Sequence, residues 1–155
     1  MIEEVRGDCA LLARFRNVFS SPAFDLLGGE VLAMDGEEGR SKIRFRPRPE
    51  FCNPLGFVQG GFLTAMLDST AAIAAIALTG VTRFMPTIEI KTSFIAPAPC
   101  EPLVGIGQCL HLGRRTAFLE GALYTQKGEQ LLAHATATAR PMPIERVRRF
   151  AGLSP

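Results

Sequence analysis

The first apolar residues of the chain recur at helical spacing. Asp8 comes just before them and stands where a helix N-cap is expected, because its side chain can accept a hydrogen bond from an early backbone N–H. Residues three and four positions apart share one helix face, and the apolar ones here are Leu11, Leu12, Phe15, Val18 and Phe19. The pattern predicts a helix over about 8–19, stopped by Ser20-Ser21-Pro22, that covers one edge of the core.

A pattern with a period of two follows this helix. Residues 24–34 are largely apolar, and residues 41–46 place Ile43 and Phe45 on one face and basic side chains on the other. Alternation of this kind is typical of a strand with one buried face. We predict a β-hairpin that turns at Asp35-Gly36.

The most apolar stretch of the chain, residues 61–79, predicts a long central helix because it is rich in Ala, Leu, Ile and Met. Its length approaches that of a membrane span. However, Asp68 lies at its middle, where a carboxylate would be costly in lipid. We therefore favour the buried helix of a globular domain over a transmembrane helix.

Four alternating segments come after the central helix: 87–96, 103–112, 116–126 and 130–140. Turn-forming residues separate them, namely the proline-rich residues 97–102, Gly113 and residues 127–129. Such short connections cannot make a parallel crossover, so neighbouring strands are expected to be antiparallel. The predicted fold is α+β: a curved antiparallel sheet wrapped around a long central helix, with an additional N-terminal helix, in a single domain 1–155 whose core spans about 24–141.

The composition agrees with one packed domain. The chain has 155 residues, of which 47% are apolar and 21% charged, as in ordinary globular proteins. The formal charge of +2 is too small to draw the whole molecule onto nucleic acid. The four cysteines form no CxxC pair and the N-terminal residues are acidic, which favours free thiols and a cytoplasmic location.

Asp68 is the first candidate for chemistry, because a carboxylate on a mostly buried helix loses solvation unless something compensates for it. Its neighbours on a helical wheel are all small, namely Thr64, Ala65, Ala71, Ala72 and Ala75. Two interpretations remain open. Asp68 either joins a structural network with Thr64, the Ser69-Thr70 region or an arginine on a strand, or it belongs to a site that a ligand or a second subunit approaches.

The second candidate lies directly before the central helix. Gly60-Gly61 exposes backbone N–H groups at the positive end of the helix dipole. Because glycine has no Cβ, a carbonyl oxygen can approach such an amide, as in an oxyanion site. Taken alone, the pair is equally explained by a tight turn from loop to helix.

Three motifs occur together in this chain: residues 53–61 (NPLGFVQGG), residues 67–69 (LDS) and residues 87–97 (TIEIKTSFIAP). Their joint spacing resembles the hotdog-fold acyl-CoA thioesterases of the phenylacetate-degradation (PaaI-like) type, and the similarity covers roughly residues 40–140. In that family an Asn precedes a His-Gly-Gly turn by the interval found here, and an Asp follows in the long helix. This chain has Gln59 in the place of the His, which removes one titratable group and is similar to some other hotdog thioesterases.

The resemblance implies a role for each matching residue. The N–H of Gly60 would polarise the thioester carbonyl, and Gln59 would orient that loop or add a donor. Asp68, placed across a dimer interface from the loop, would act as general base on water or attack the acyl carbon directly. Asn53 would position substrate or water, and Thr87 would help to hold the water.

CoA carries phosphates, so basic side chains are expected near the mouth of the site. Arg114 and Arg115 in a turn and Arg140 at the end of the last strand are the candidates, and Gly61 is a further candidate for contact with the substrate. A solvated tail is expected for the basic residues near the C-terminus, Arg146, Arg148 and Arg149, which could touch a nucleotide only if the tail folds back.

The resemblance implies hydrolysis of an acyl-CoA by a homodimer or homotetramer, with no metal, no cofactor other than the CoA of the substrate, and neither nucleic acid nor membrane as a partner. The alternative is a hotdog protein that binds an acyl thioester or another lipid-like ligand without turnover. The sequence contains no GxSxG, GK[ST] or HExxH motif, which disfavours serine hydrolase, P-loop and zincin chemistry. His111 and His134 fall in predicted strands, where a structural role is expected.

Overall fold

The computed structural model describes residue 2, residues 4–19 and residues 21–152. Ser20, at the predicted end of the first helix, and both ends of the predicted domain 1–155 lie outside the described residues. The elements along the chain are α1 (Cys9–Val18), α2 (Pro22–Leu26), β1 (Glu30–Asp35), β2 (Arg40–Phe45), a 3-10 turn (Pro49–Phe51), α3 (Gly60–Leu78), β3 (Arg83–Phe84), β4 (Thr87–Phe94), β5 (Leu103–Leu112), β6 (Ala117–Thr125), β7 (Leu131–Ala139), β8 (Met142–Pro143) and α4 (Ile144–Phe150).

The predicted N-terminal helix is present as α1. The Asp8 side chain accepts a hydrogen bond from the Leu11 N–H at 3.0 Å and caps the helix. Leu11 and Phe15 are its buried residues, and the helix packs beside β1. The periodicity therefore identified both the helix and the face that it buries.

The predicted hairpin is also present, as β1 and β2, and Asp35 organises its turn by accepting from the N–H groups of Glu37 (2.8 Å) and Glu38 (3.0 Å). Its first strand begins later than expected, however. Residues 22–26 form the short helix α2, because Ser21 caps the N–H of Phe24 and Pro22 suits the first helical turn.

The six-stranded sheet has the order β1-β2-β5-β6-β7-β4, and all its neighbours are antiparallel. The strands after α3 are antiparallel as predicted, but they do not all pair in sequence order, because β4 pairs with β7 rather than with β5. The connection between β4 and β5 folds instead onto the loop before α3, where the Val58 N–H donates to the Ala98 carbonyl at 2.9 Å. This pairing places β4 at the edge of the sheet.

Helix α3 lies across the concave face of the sheet and contacts every one of its six strands. Gly105 and Gly107 on β5 allow this close packing, since a Cβ on Gly107 would overlap the Thr70 carbonyl oxygen. The Ser41 hydroxyl donates to the same carbonyl at 2.9 Å and ties β2 to the helix. The core consists of the apolar side of α3 and the inward side chains of the strands.

By length and composition α3 is the one helix among the described residues that could cross a membrane. More than half of its most apolar 18-residue window, 56%, is buried inside this fold. This agrees with the preferred interpretation of residues 61–79 as a core helix.

The C-terminal segment differs from the solvated tail that its arginines suggested. Residues 144–150 form α4, which follows the short strand β8, and β8 pairs with β3. Ile144 is buried, and its N–H donates to the Thr82 carbonyl at 3.2 Å. This apolar anchor holds the chain end against the body of the protein.

Candidate active site

Asp68 and Thr87 form the centre of the candidate site. Asp68 lies near the middle of α3 on its uncovered side, and Thr87 is the first residue of β4. The Thr87 hydroxyl donates to Asp68 Oδ1 at 2.6 Å, which fixes the orientation of the carboxylate. Thr87 is exposed and Asp68 is half-buried, so water has access to the pair.

The structural alternative for Asp68 finds no support among the described contacts. The Thr64 hydroxyl donates to the Gly60 carbonyl and lies 3.1 Å from Thr92 Oγ1, while the Thr70 hydroxyl donates to the Met66 carbonyl. Within the described part of the chain Asp68 forms no ion pair with any arginine or lysine. One of its oxygens is bound by Thr87, and the carboxylate otherwise faces open space.

A cavity of about 620 Å³ adjoins Asp68 and Thr87. Its walls come from α1, α2, the start of β1, α3 and the segment from β3 to β4, and they are mainly apolar. Phe15, Phe19 and Phe84 form a continuous aromatic wall, with ring centroids 5.1 Å apart for the first pair and 5.9 Å for the second. Such a cavity suits an apolar group whose reactive end lies beside the carboxylate.

Glu30 supplies a negative charge at the rim of this cavity. Its carboxylate accepts hydrogen bonds from Arg44 at 2.6 Å and from Arg46 at 3.1 Å. These guanidinium groups lower the pKa of Glu30 below its ordinary value. Glu30 is therefore an engaged, charged group, in contrast to Asp68, which has no guanidinium partner among the described residues.

The glycine pair begins α3 as predicted. Gln59 is the N-cap and has extended dihedral angles, and its carbonyl accepts from the N–H groups of Phe62 and Leu63. The N–H groups of Gly60 and Gly61 find no acceptor among the described residues, as expected at a helix start. The Gln59 side chain is exposed and does not cap the helix.

The ring of Phe94, the last residue of β4, covers one side of Gly60. A Cβ on Gly60 would lie 2.8 Å from that ring, whereas a Cβ on Gly61 would meet nothing within 4 Å. Gly60 is therefore needed for the close approach of Phe94. The strand that carries Thr87 at its first residue thus contacts the glycine turn through its last.

Asn53 holds the loop that leads into α3. Its side-chain oxygen accepts from the N–H groups of Leu55 at 2.9 Å and Phe57 at 3.2 Å, and its own N–H donates to the Phe57 carbonyl at 2.7 Å. This is an Asx-type turn, in which a side chain replaces a backbone acceptor. In the structure Asn53 shapes the loop.

The predicted catalytic residues fall into two groups within one chain. Asp68 and Thr87 form one, and the loop with Asn53, Gln59 and Gly60 forms the other. Asp68 follows Gly60 by eight residues in the same helix, a rise of about 12 Å along its axis. A single chain therefore does not bring its own Gly60 amide to its own carboxylate.

The structure brings together all three predicted phosphate-binding arginines. They line a cleft of about 690 Å³, which they share with two arginines that were not assigned to the site. The five are Arg83, Arg114, Arg115, Arg140 and Arg146. Arg83 and Arg146 were missed because they reach the cleft through the pairing of β3 with β8. Strands of two residues are too short to leave a recognisable pattern in the sequence.

Neither histidine belongs to these sites. His134 Nε2 lies 3.5 Å from Glu120 Oε2 across the sheet, and the His111 ring lies against Phe118. All four cysteines are free thiols, as expected. The pKa of Cys100 is raised to about 11 because its thiol shares a hydrogen bond with Cys52 and is partly desolvated, so Cys100 is a poor nucleophile at neutral pH.

Comparison with known proteins decides the family. The sequence model of the thioesterase superfamily matches residues 55–132, half of the chain. The chain belongs to the thioesterase superfamily. Among solved structures it is similar to a phenylacetic acid degradation-related protein from Ralstonia eutropha JMP134, with 32% identity over 84% of this chain and 98% of that one and a TM-score of 0.75. The resemblance to PaaI-like proteins and the hotdog fold are thereby confirmed.

Two further relatives of this thioesterase-superfamily chain differ in how much they share with it. A Streptococcus mutans UA159 protein solved bound to acetyl CoA is 19% identical over 74% of this chain and 89% of its own, with a TM-score of 0.65, and shares the fold. An uncharacterised protein of Schizosaccharomyces pombe is 32% identical over 66 residues. That match covers 43% of this chain, and the chain spans only 37% of the length of that curated relative.

Proposed function

We propose that this protein hydrolyses an acyl-CoA thioester to the free acid and CoA. The observation that carries the proposal is the Asp68 carboxylate, which Thr87 holds at 2.6 Å beside an apolar cavity of about 620 Å³. The acetyl CoA bound to the Streptococcus mutans protein of the same fold supports the choice of CoA as carrier. Membership of the thioesterase superfamily supports the reaction type.

In this mechanism the acyl group enters the cavity and its carbonyl carbon lies next to Asp68. As general base, the ionised carboxylate takes a proton from water while the water oxygen forms a bond to the carbonyl carbon. The tetrahedral intermediate then expels CoA as a thiolate, which receives that proton. As nucleophile, Asp68 would first attack the carbonyl carbon and expel CoA as a thiolate, leaving a mixed anhydride. Water would then hydrolyse this anhydride to the free acid and the Asp68 carboxylate, and the proton that it releases would go to the thiolate. Both routes require the carboxylate in its charged form.

The negative charge on the carbonyl oxygen needs a donor, and the amide of Gly60 is suited to that role because no acceptor within the described chain occupies it. Gln59 would orient this turn or add a side-chain donor, since its exposed side chain does not cap the helix, and Gly61 would leave room for the substrate. Asn53 acts through the loop that it shapes. Thr87 holds the carboxylate and the attacking water.

Because one chain separates the two groups by about 12 Å along α3, we infer that the Gly60 amide comes from a second copy. The edge strand β4 supports this inference: Ile88, Phe94 and Ile95 on and beside it are more than half exposed. Antiparallel pairing of two β4 strands would bring the Thr87 end of one copy towards the Phe94 end of the other. The assembly would then be a homodimer, or a homotetramer of two such dimers.

Release of CoA by the purified protein tests the chemistry. With a panel of acyl-CoAs and a thiol reporter, Asp68→Asn should lower kcat by about 10²–10⁴-fold, the usual contribution of a general base. Glu37→Gln is the matched control, since it also turns a carboxylate into an amide but at an exposed ion pair with Arg6. Undiminished release by Asp68→Asn would contradict the mechanism. Binding without release of CoA from any acyl-CoA would favour the alternative, a binding protein in which Gln59 replaces the family's His.

Mixed dimers test whether two copies share the site. Gly60→Pro deletes the proposed donor, and the backbone suits proline, since it is the first position of a helix and follows the extended Gln59 (φ −66°, ψ 143°). The proline Cβ meets the ring of Phe94, an exposed side chain that can turn aside. Asp68→Asn and Gly60→Pro should each be inactive alone, yet random mixing should restore about a quarter of the wild-type activity, because half the dimers carry one intact site. Mixtures that stay as inactive as the two parents, despite subunit exchange shown by mass spectrometry, would place both groups in one chain.

A further inference from the structure

The cleft lined by five arginines has a strongly one-sided charge. The residues that complete its lining are Pro141, Met142 and Pro143, so the described part of the chain contributes no carboxylate to it. Within the described residues none of the five forms an ion pair. Guanidinium groups held close together without a counter-charge repel one another, and a bound anion relieves that repulsion.

The fold builds this cleft from four separate parts of the chain. Arg83 belongs to β3, Arg114 and Arg115 to the turn between β5 and β6, Arg140 follows β7, and Arg146 belongs to α4. The backbone fixes their approach, since Arg83 pairs with Pro143 between β3 and β8 and the Arg140 N–H donates to the Pro86 carbonyl at 2.9 Å.

Arg146 belongs to a helix anchored at its start, which corresponds to the folded-back arrangement rather than to the solvated tail that was expected. The buried Ile144 anchors the start of α4, and the Arg146 guanidinium carbon lies 5.8 Å from the centroid of the Phe150 ring. The Arg146 side chain thus lines the cleft from α4, a helix whose start is anchored. This helix lies outside residues 55–132, the part that the superfamily model matches.

The cleft and the apolar cavity are lined by consecutive residues of the same segment. Arg83 lines the cleft, whereas the residues that follow it, from Phe84 to Thr87, line the cavity beside Asp68. The neighbouring sites therefore suit a ligand with an apolar group at one end and several negative charges at the other. Arginine forks match phosphate oxygens in geometry and charge.

We propose that Arg83 and Arg146 complete a phosphate-binding cleft that makes this protein prefer thioesters of a phosphate-bearing carrier over phosphate-free thioesters of the same acyl group. The inference rests on the proposed function and adds to it two specificity-determining residues on β3 and α4. The ligand class is the phosphorylated nucleotide end of an acyl carrier such as CoA. The cleft contributes to binding of the carrier and takes no part in bond cleavage.

Paired substrates test this inference. One acyl group is offered on CoA and on N-acetylcysteamine, which has no phosphate. Arg83→Gln and Arg146→Gln should each raise KM for the CoA thioester about tenfold with kcat unchanged, as expected when a charge-assisted contact is lost. Neither should change kcat/KM for the N-acetylcysteamine thioester. Arg146→Lys should recover part of the lost affinity, and Arg14→Gln, at an exposed position of α1 that lines neither the cavity nor the cleft, is the matched control.

Calorimetric titration with free CoA gives a readout that does not depend on turnover. Weaker CoA binding by Arg83→Gln and Arg146→Gln supports the inference even if no thioester is hydrolysed. Failure of the inference can therefore be distinguished from failure of the proposed function. Unchanged CoA binding, or an equal loss of kcat/KM on both substrates, would overturn it. Tighter binding of a single-stranded oligonucleotide than of CoA, measured by competition for the same cleft, would also overturn it. The cleft would then serve nucleic acid.

Discussion

The two sides of α3 are built on different principles. On the covered side, Gly107 allows close contact between the sheet and the helix backbone. The buried Ser41 hydroxyl donates to the Thr70 carbonyl, and the Thr70 hydroxyl donates to the Met66 carbonyl. On the open side stand small residues and Asp68, which binds only Thr87 among the described residues. The comparison teaches that one face of a helix can be packed tightly against a sheet while the opposite face presents a charged group to an open cavity.

The largest effect that this comparison predicts is on stability. Gly107→Ala should lower the free energy of unfolding by about 3 kcal/mol, because the new Cβ overlaps the Thr70 carbonyl oxygen, and backbone cannot move aside as a flexible side chain can. Urea denaturation followed by circular dichroism measures the change.

Gly61→Ala is the matched control on the open side. Nothing lies within 4 Å of a Cβ there, so the change should be less than about 1 kcal/mol and favourable, since alanine is the better helix former. Equal losses of stability in the two variants would show that the two sides of α3 are not packed differently.

A smaller effect, on activity alone, is predicted for the open side. Thr87→Ala removes the hydroxyl that donates to Asp68 and should lower kcat/KM about 10–100-fold, because a hydrogen bond to a charged group contributes about 1.5–3 kcal/mol. Thr87→Ser keeps the hydroxyl and should retain most of the activity. Melting temperatures should change little, since Thr87 is exposed. A similar loss of activity in both variants would mean that the methyl group, not the hydroxyl, is what matters.

Most of the fold could be predicted from periodicity. The long helix, the hairpin at Asp35 and the four later strands each bury one face, and burial leaves a regular pattern in the sequence. The partner of β4 could not be predicted, because an edge position depends on where the loop at 95–102 packs. Helices α2 and α4 are too short for a pattern, and the charges of α4 conceal its single buried anchor, Ile144.

The candidate site was only partly readable for a similar reason. Asp68 was conspicuous because it is the only charged residue in a 19-residue apolar helix. Thr87 looks like any β-branched strand residue, and only the family resemblance indicated its role. Arg83 and Arg146 lie far apart in sequence and meet through tertiary pairing, for which no local pattern exists.

The length of β4 has a consequence of its own. Thr87 and Phe94 stand at the two ends of this strand, one against the carboxylate and the other against the glycine turn, and seven steps along a strand span about 23 Å. If two copies join along this strand about a twofold axis, the length of the strand determines whether the carboxylate of one copy lies opposite the glycine turn of the other. Adding two residues to β4 would keep every side chain on its face of the sheet but would move the carboxylate and the glycine turn out of alignment. The protein would still fold, yet it would lose activity.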